Sequence, residues 1–402
     1  MSDHEPEGPS HPHHHSPDFP PGMLPRFLWV YVAQFMPAVL IAVYLQVVLK
    51  EHGFNKQQIG LLQGLLGMMA VFAPPLWGYF SDATARPRLI LTLGILGYVP
   101  LFLLLGMARG MPAAIALIIA FGFFNRPIIP LTDGYTFRYI HHHGGDYGKV
   151  RCAGSISGAC TMFLLELLGA GGSSPVGVIL SSMAVLGSFH LVSIFSLPAD
   201  EDVRLKKTYR PDLRVFLMPG FLFFTLAAFL GNVAMSSYYH FFTLFLKEQL
   251  GFSKAGLIWT LGTLSEIPVV YFSGRIMKRI GVRNLFALGL LGCVLRLAGF
   301  SVVTNVWQAA PLQLFHMLTF GAFFTASVTY VSRLVPPNMK SSAQTLFAAL
   351  STGLGSLVGG ALGGVIVERY GFSALYRVFG GIGLAGLIIL LAFVPAERQK
   401  TA

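Results

Sequence analysis

Nine ionisable side chains lie inside stretches that are otherwise apolar: Arg126, Asp133, Arg151, Glu166, His190, His240, Glu266, Arg296 and His316. A charge in hydrocarbon costs roughly 2.5–3.5 kcal/mol on insertion scales, so each is a candidate for function. Arg126 and Asp133 are seven residues apart, two turns along one helix face, so both are expected to face one cavity. Arg151 opens the next apolar stretch. A carboxylate accepts hydrogen bonds and a guanidinium donates them, so Asp133 with Arg151 suits the hydroxyls of a sugar or nucleoside. Arg126 adds a positive charge suited to an organic anion. The competing reading is a structural salt bridge between the two segments. Glu166 sits among Leu164, Leu165, Leu167 and Leu168 without an assigned role. His190 and His240 have no acidic neighbour at helical spacing and read as hydrogen-bonded packing residues. Tyr31, Gln34 and Tyr44 in the first apolar stretch, and Asn232, Tyr238 and Tyr239 in the seventh, are candidate cavity-lining groups.

The elements that position these groups follow from composition. Hydrophobic residues make up 54% of the 402-residue chain and charged residues 11%, against roughly 25% charged in a soluble domain. A water-soluble globular fold is thereby excluded. Apolar runs near 24–48, 58–80, 88–108, 112–134, 150–171, 175–197, 217–247, 255–277, 284–304, 308–332, 342–366 and 372–394 are long enough to cross a bilayer core of roughly 30 Å. They lack polar/apolar alternation, and lipid requires each backbone group to be satisfied within its segment, so they are helices and not barrel strands. The fold class is an all-α membrane protein of twelve transmembrane helices. Basic residues concentrate in alternate short loops, which places both termini in the cytoplasm by the positive-inside rule. A bacterial inner-membrane location is expected. The net charge of +11 is thus topogenic, with no nucleic-acid partner.

Internal repetition organises these spans. Lys50-Glu51-His52-Gly53-Phe54-Asn55-Lys56 is echoed by Lys247-Glu248-Gln249-Leu250-Gly251-Phe252-Ser253-Lys254, with Gly53 and Gly251 198 residues apart. The loop from Gly78 through Asp82 to Arg86 and Arg88 is echoed by Gly274, Lys278, Arg279, Gly281 and Arg283, 196 residues on. The expected domains are a disordered cytoplasmic tail 1–23, a six-helix bundle 24–197, a cytoplasmic linker 198–216, a second six-helix bundle 217–394 and a tail 395–402. Two repeated halves are what an alternating-access carrier needs, since a site between them can be exposed to either side in turn.

The loop Gly78…Asp82…Arg86-Pro87-Arg88 resembles the signature loop of the major facilitator superfamily. A carboxylate at Asp82 can bond the positive end of a helix in the other half while Arg86 and Arg88 pair with acids, forming a cytoplasmic gate. In the second copy Lys278 stands in place of the acid, so that latch is expected to be degenerate. Pro130-Leu131-Thr132-Asp133, Asp146-Tyr147-Gly148-Lys149-Val150-Arg151 and Gly154-Ser155 resemble the phenylpropionate-permease branch, which is related to nucleoside/proton symporters and more distantly to lactose permease. Ser265-Glu266, Arg296 through Gly299 and Leu314 through Thr319 agree with it. The resemblance implies that Asp133 and Arg151 hold solute hydroxyls, and that Arg296 and His316 belong to a proton-coupling group. That group has a carboxylate three residues after the histidine, where this chain has Thr319. Burial favours a neutral carboxyl group and a nearby arginine favours the carboxylate, so Glu266 is the candidate coupling acid, with His316 its partner and Arg296 the displacing cation. The alternative is a satisfied structural acid. The related permeases carry an aromatic seven residues after the arginine, where this chain has Gly158, so a wider pocket is expected there.

Small residues recur at a four-residue spacing in Gly154/Gly158, Gly355/Gly359, Gly359/Gly363 and Gly360/Gly364, a pattern for close helix packing. Gly381-Ile-Gly383-Leu-Ala-Gly386 fits a dinucleotide fingerprint but lies in an apolar span with no preceding strand, so it is rejected. No cofactor and no metal is expected. The tracts His11, His13, His14, His15 and His141, His142, His143 read as polar segments, and Cys152, Cys160 and Cys293 as packing residues. With no HExxH, nucleophile elbow or ATP-binding loop, an enzyme is disfavoured. The expected function is proton-coupled symport of a small organic solute (an aromatic acid, nucleoside or sugar) by a monomer, with solute, protons and the lipid bilayer as partners. The alternative is proton-driven efflux of amphipathic compounds.

Overall fold

The structure, a computed structural model, describes residues 22–84, 86–143, 147–172, 175–197, 217–336 and 339–395. The N-terminal tail with its histidines, the linker 198–216, Gly144, Gly145 and Asp146, the side chains of His141–His143 and nearly all of the C-terminal tail lie outside the described residues. The secondary structure described is helical throughout.

Among the described residues eleven helices are long and apolar enough to cross a membrane. The last, Ala343–Phe393, has 51 residues, about 75 Å at 1.5 Å per residue and more than twice a bilayer core. It turns back at Gly371, whose φ of 79° suits only a residue without Cβ. It therefore supplies two crossings, and the twelve expected spans are present. We label them α1 (Leu24–Glu51), α2 (Lys56–Thr84), α3 (Pro87–Leu105), α4 (Met111–Asn125 with Ile128–His143), α5 (Tyr147–Leu167), α6 (Pro175–Ile194), α7 (Pro219–Leu244, ending in a π turn, Phe245–Gln249), α8 (Ala255–Ile280), α9 (Val282–Phe300), α10 (Val306–Leu334), α11 (340–370) and α12 (372–393).

Helices α1 and α7, equivalent by the repeat, are the most enclosed, with 72% and 61% of their apolar windows buried. A helix apolar on all sides belongs in the interior, and these two meet where Thr243 Oγ1 donates to the Val43 carbonyl at 2.8 Å. The halves also cross backbone to backbone along α2 and α11. A Cβ on Gly60 would lie 2.9 Å from Gly364 Cα, one on Gly360 3.0 Å from Gly64 Cα, and one on Gly364 2.8 Å from Gln57 Cα. The small-residue spacing read from the sequence thus serves two purposes. Gly360 and Gly364 face the other half, whereas Gly355, Gly359 and Gly363 pack against Asn232, Ser236 and Phe241 of α7.

Gly158 corrects an expectation. It does not widen a pocket: its Cα faces α1, and a Cβ there would meet Val39 Cγ1 at 2.8 Å. Gly154 lies against Phe35 in the same way, so the pair sets the approach of α5 to α1. Gly383 and Gly386 of the rejected fingerprint pack on α7 within α12, as helix-packing residues do.

Candidate functional site

In the first half, Pro127 interrupts α4, because proline cannot donate the backbone bond that would carry the helix through. Arg126 and Asp133, expected on one face of an unbroken helix, therefore belong to different segments and reach different partners. Arg126 Nε donates to the Leu66 carbonyl of α2 at 3.1 Å. Asp133 Oδ1 accepts from the hydroxyls of Tyr31 on α1 and of Tyr147 on α5, the latter at 2.9 Å. Asp133 forms no salt bridge with Arg151 among the described residues. Arg151 instead lies over the Phe35 ring, 4.3 Å from its centroid, and its Nη1 is buried without a hydrogen-bond partner. Both side-chain amide atoms of Gln34, one turn beyond Tyr31, are also buried without partners. Buried polar atoms are nearly always satisfied, so these atoms are candidates for a polar ligand or a water, a feature that Arg296 Nε and Gln313 Nε2 of the second half share.

In the second half the polar groups close on one another. Arg296 of α9 is 2% exposed and sends Nη2 to Gln313 Oε1 at 2.5 Å and Nη1 to Thr319 Oγ1 and His316 Nδ1, both at 3.0 Å. Its guanidinium lies 3.8 Å from the Tyr238 ring centroid, and the Tyr238 hydroxyl donates to Gln313 Oε1 at 3.1 Å. Arginine only donates, so His316 Nδ1 must be the acceptor and the imidazole carries its proton on Nε2. That nitrogen faces Glu266 Oε2 at 3.4 Å. The charges of Arg296 and Glu266 are thus linked through a neutral histidine. Irregular backbone makes this convergence possible, for α10 passes through a 3₁₀ turn at Gln313–Phe315 and a π segment at Met317–Ala322. Helix irregularities of this kind are common at functional sites. Tyr239, Tyr238, Arg296, Cys293 and Thr319 line a small cavity in this half.

The two clusters meet across the boundary between the halves. The Ser155 hydroxyl of α5 donates to Glu266 Oε1 of α8 at 2.9 Å. Ser155 is four residues after Arg151, on the same helix face. In the sequence Ser155 and Tyr147 stand only within longer motifs, and Gln313 carries no signal of its own. The i, i+4 spacing from Arg151 was the available signal for Ser155.

The architecture agrees with what known proteins show. The profile of the MFS_1 like family matches residues 26–378. The chain belongs to this family of major facilitator transporters. It is 26% identical to YwbF, an uncharacterised transporter of Bacillus subtilis, over 93% of each chain. It is 27% identical to the maltose permease of Geobacillus stearothermophilus over 90% of this chain and 91% of that one. A crystal structure of a mutant of the nucleoside transporter NupG superposes with a TM-score of 0.81 at 18% identity, covering 92% of this chain and 99% of that one. The protein is a multi-pass membrane transporter and not an enzyme.

The remaining candidates are placed as follows. Asn232 Nδ2 donates within α7 to the Ala228 carbonyl at 3.0 Å, and its Cβ lies against Gly355. His190 bonds Tyr98 at 3.1 Å through Nδ1, and His240 bonds Ser356 at 3.2 Å through Nε2. Gly78 has open space where a Cβ would project. Asp82 and Arg86 are exposed, and Asp82 makes no hydrogen bond or ion pair among the described residues. Arg88 lies 5.1 Å from the Phe195 ring centroid. Glu166, undecided from sequence, is only 6% exposed. Its Oε1 accepts from the Tyr44 hydroxyl at 2.6 Å and from the Gly256 backbone at 2.7 Å.

Proposed function

We propose that this transporter moves a small organic solute bearing hydroxyl or carboxylate groups (an aromatic acid, nucleoside or sugar) together with protons, by alternating access. The observation that carries the reading is the Ser155–Glu266 hydrogen bond. It joins the helix that carries Arg151 to the buried acid of the opposite half, so occupancy of one is felt by the other. Arg151, with an open donor, and Asp133, held by two tyrosines, bind the solute between the halves. Glu266 is the proton carrier, and His316 relays to it the charge of Arg296. Protonating Glu266 removes its demand for the Ser155 hydroxyl and the His316 N–H, which frees the α5–α8 contact to rearrange. The relatives named maltose permease and nucleoside transporter supply the solute classes to try first. The protein works as a monomer in the bacterial inner membrane with both termini cytoplasmic, its bundles being 24–197 and 217–394.

Proteoliposomes loaded with a pH-sensitive dye test this against a panel of nucleosides, disaccharides and aromatic acids. The expected result is that one class drives proton entry with solute entry, and that Asp133→Asn and Arg151→Ala abolish it. Accumulation only under the reversed gradient would identify an exporter instead.

A further inference from the structure

The end of the molecule opposite the N-terminus holds a contact that solute binding and coupling do not use. At that end the two copies of the repeated loop begin α2 and α8, and they differ in how the first helical turn is capped. The first turn of a helix leaves backbone N–H groups without intrahelical partners. In α2 a local capping box satisfies them: Asn55 Oδ1 accepts from the Gln58 backbone at 2.9 Å, and Gln58 Oε1 accepts from the Asn55 backbone at 3.0 Å. In α8 the equivalent positions are Ser253 and Gly256, and the N-cap residue Lys254 makes no side-chain cap. The box partner is missing, and the Glu166 carboxylate of the other half stands in its place on the Gly256 N–H.

We propose that Glu166 is the bolt of the gate at this end: a carboxylate of the first half that caps a helix of the second, and that must withdraw before the halves part there. Its fit is specific. A Cβ on Gly256 would lie 2.8 Å from Glu166 Cγ and 2.5 Å from the Tyr44 hydroxyl, so glycine is what admits the carboxylate. The positive end of a helix favours an anion, and this contact is shielded from water. The repeat supplies a weaker counterpart. Glu368 of α11, exposed, accepts from the Lys56 backbone at the start of α2 at 2.9 Å. Beside it the Lys56 ammonium pairs with Glu248 at 2.8 Å. Partly exposed pairs of this kind contribute little, so the buried Glu166 is the stronger of these polar contacts. At the N-terminal end, by contrast, the Asp82 carboxylate has no such partner among the described residues.

The proposal rests on the alternating-access reading, and the test separates the two. Spin labels on non-natural amino acids at Met107 and Val302, exposed positions of the two halves at this end, report the opening of this gate by pulsed distance measurements in liposomes. Labels at Ala83 and Lys278 report the other end. The full-length protein is expected to give one short distance at the first pair. Glu166→Ala and Gly256→Ala, which remove the bolt from opposite sides, should each add a longer population there, and Glu368→Ala a smaller one. Unchanged distances in the two bolt variants, with unaltered gel-filtration profiles showing them folded, would overturn the proposal. A longer far-end distance with the Ala83–Lys278 distance unchanged supports the bolt and contradicts alternating access.

Discussion

At the scale of single residues, the two halves of the site differ in how fully their polar groups are satisfied. Arg296 makes three hydrogen bonds to three side chains and leaves only its Nε buried without a partner, whereas the Arg151 side chain makes no hydrogen bond among the described residues and its Nη1 is buried. A hydrogen bond to a charged group contributes roughly 1.5–3 kcal/mol, so Arg151→Ala should weaken solute binding by about 10- to 100-fold. Tyr147→Phe removes one of two hydroxyls on Asp133 and should cost less, about 1 kcal/mol or roughly fivefold. Equilibrium binding of labelled solute to the purified protein measures both, and equal losses would contradict the ordering. The intramembrane charges were legible in the sequence because burying a charge demands a reason. Their partners were legible only in part: Tyr31, Tyr44 and Tyr238 stand among the candidate cavity-lining groups, whereas Gln313 and Ser155 are ordinary in composition and acquire a role only when the fold brings a guanidinium or carboxylate to them. The neutral Thr319, an apparent defect in the coupling group, proves to be an acceptor for Arg296.

At the scale of elements, helix spacing is set by glycine where backbone meets backbone. A Cβ on Gly359 would meet Ser236 Cβ at 2.8 Å and the Val233 carbonyl at 2.9 Å, with nowhere for α7 to retreat in the enclosed second half. Gly381, in the motif resembling a dinucleotide fingerprint, has open space at the same place. Gly359→Ala is therefore expected to lower the thermal unfolding midpoint in detergent, by an overpacking cost of about 1–3 kcal/mol. Gly381→Ala should leave the midpoint unchanged or raise it slightly, given a helix-propensity gain of up to about 1 kcal/mol. A drop in both would contradict this account of the packing. The twelve spans were legible from run length alone. The interruption of α4 at Pro127 and the irregular middle of α10 were not, because local backbone departures depend on tertiary partners more than on the run of apolar residues. The break puts Arg126 and Asp133 in two segments of α4 with different partners.

At the scale of the whole molecule, the contacts form one pattern. At the end away from the N-terminus the halves are held by Glu166, the Lys56–Glu248 pair and the α2–α11 glycine crossing, while Asp82 at the other end makes no hydrogen bond or ion pair among the described residues. In the proposed reading this is a carrier closed on one side, its halves joined between the two ends by the Ser155–Glu266 hydrogen bond. The central claim is that Glu266 carries the coupled proton, and it predicts that solute movement and proton movement come apart when that residue is neutralised. The most direct measurement compares solute-driven proton flux with solute exchange at equal concentrations on both sides, in proteoliposomes bearing the native protein or Glu266→Gln. The account predicts that exchange persists in Glu266→Gln while proton flux is lost, and proton flux of undiminished size in that variant would contradict it.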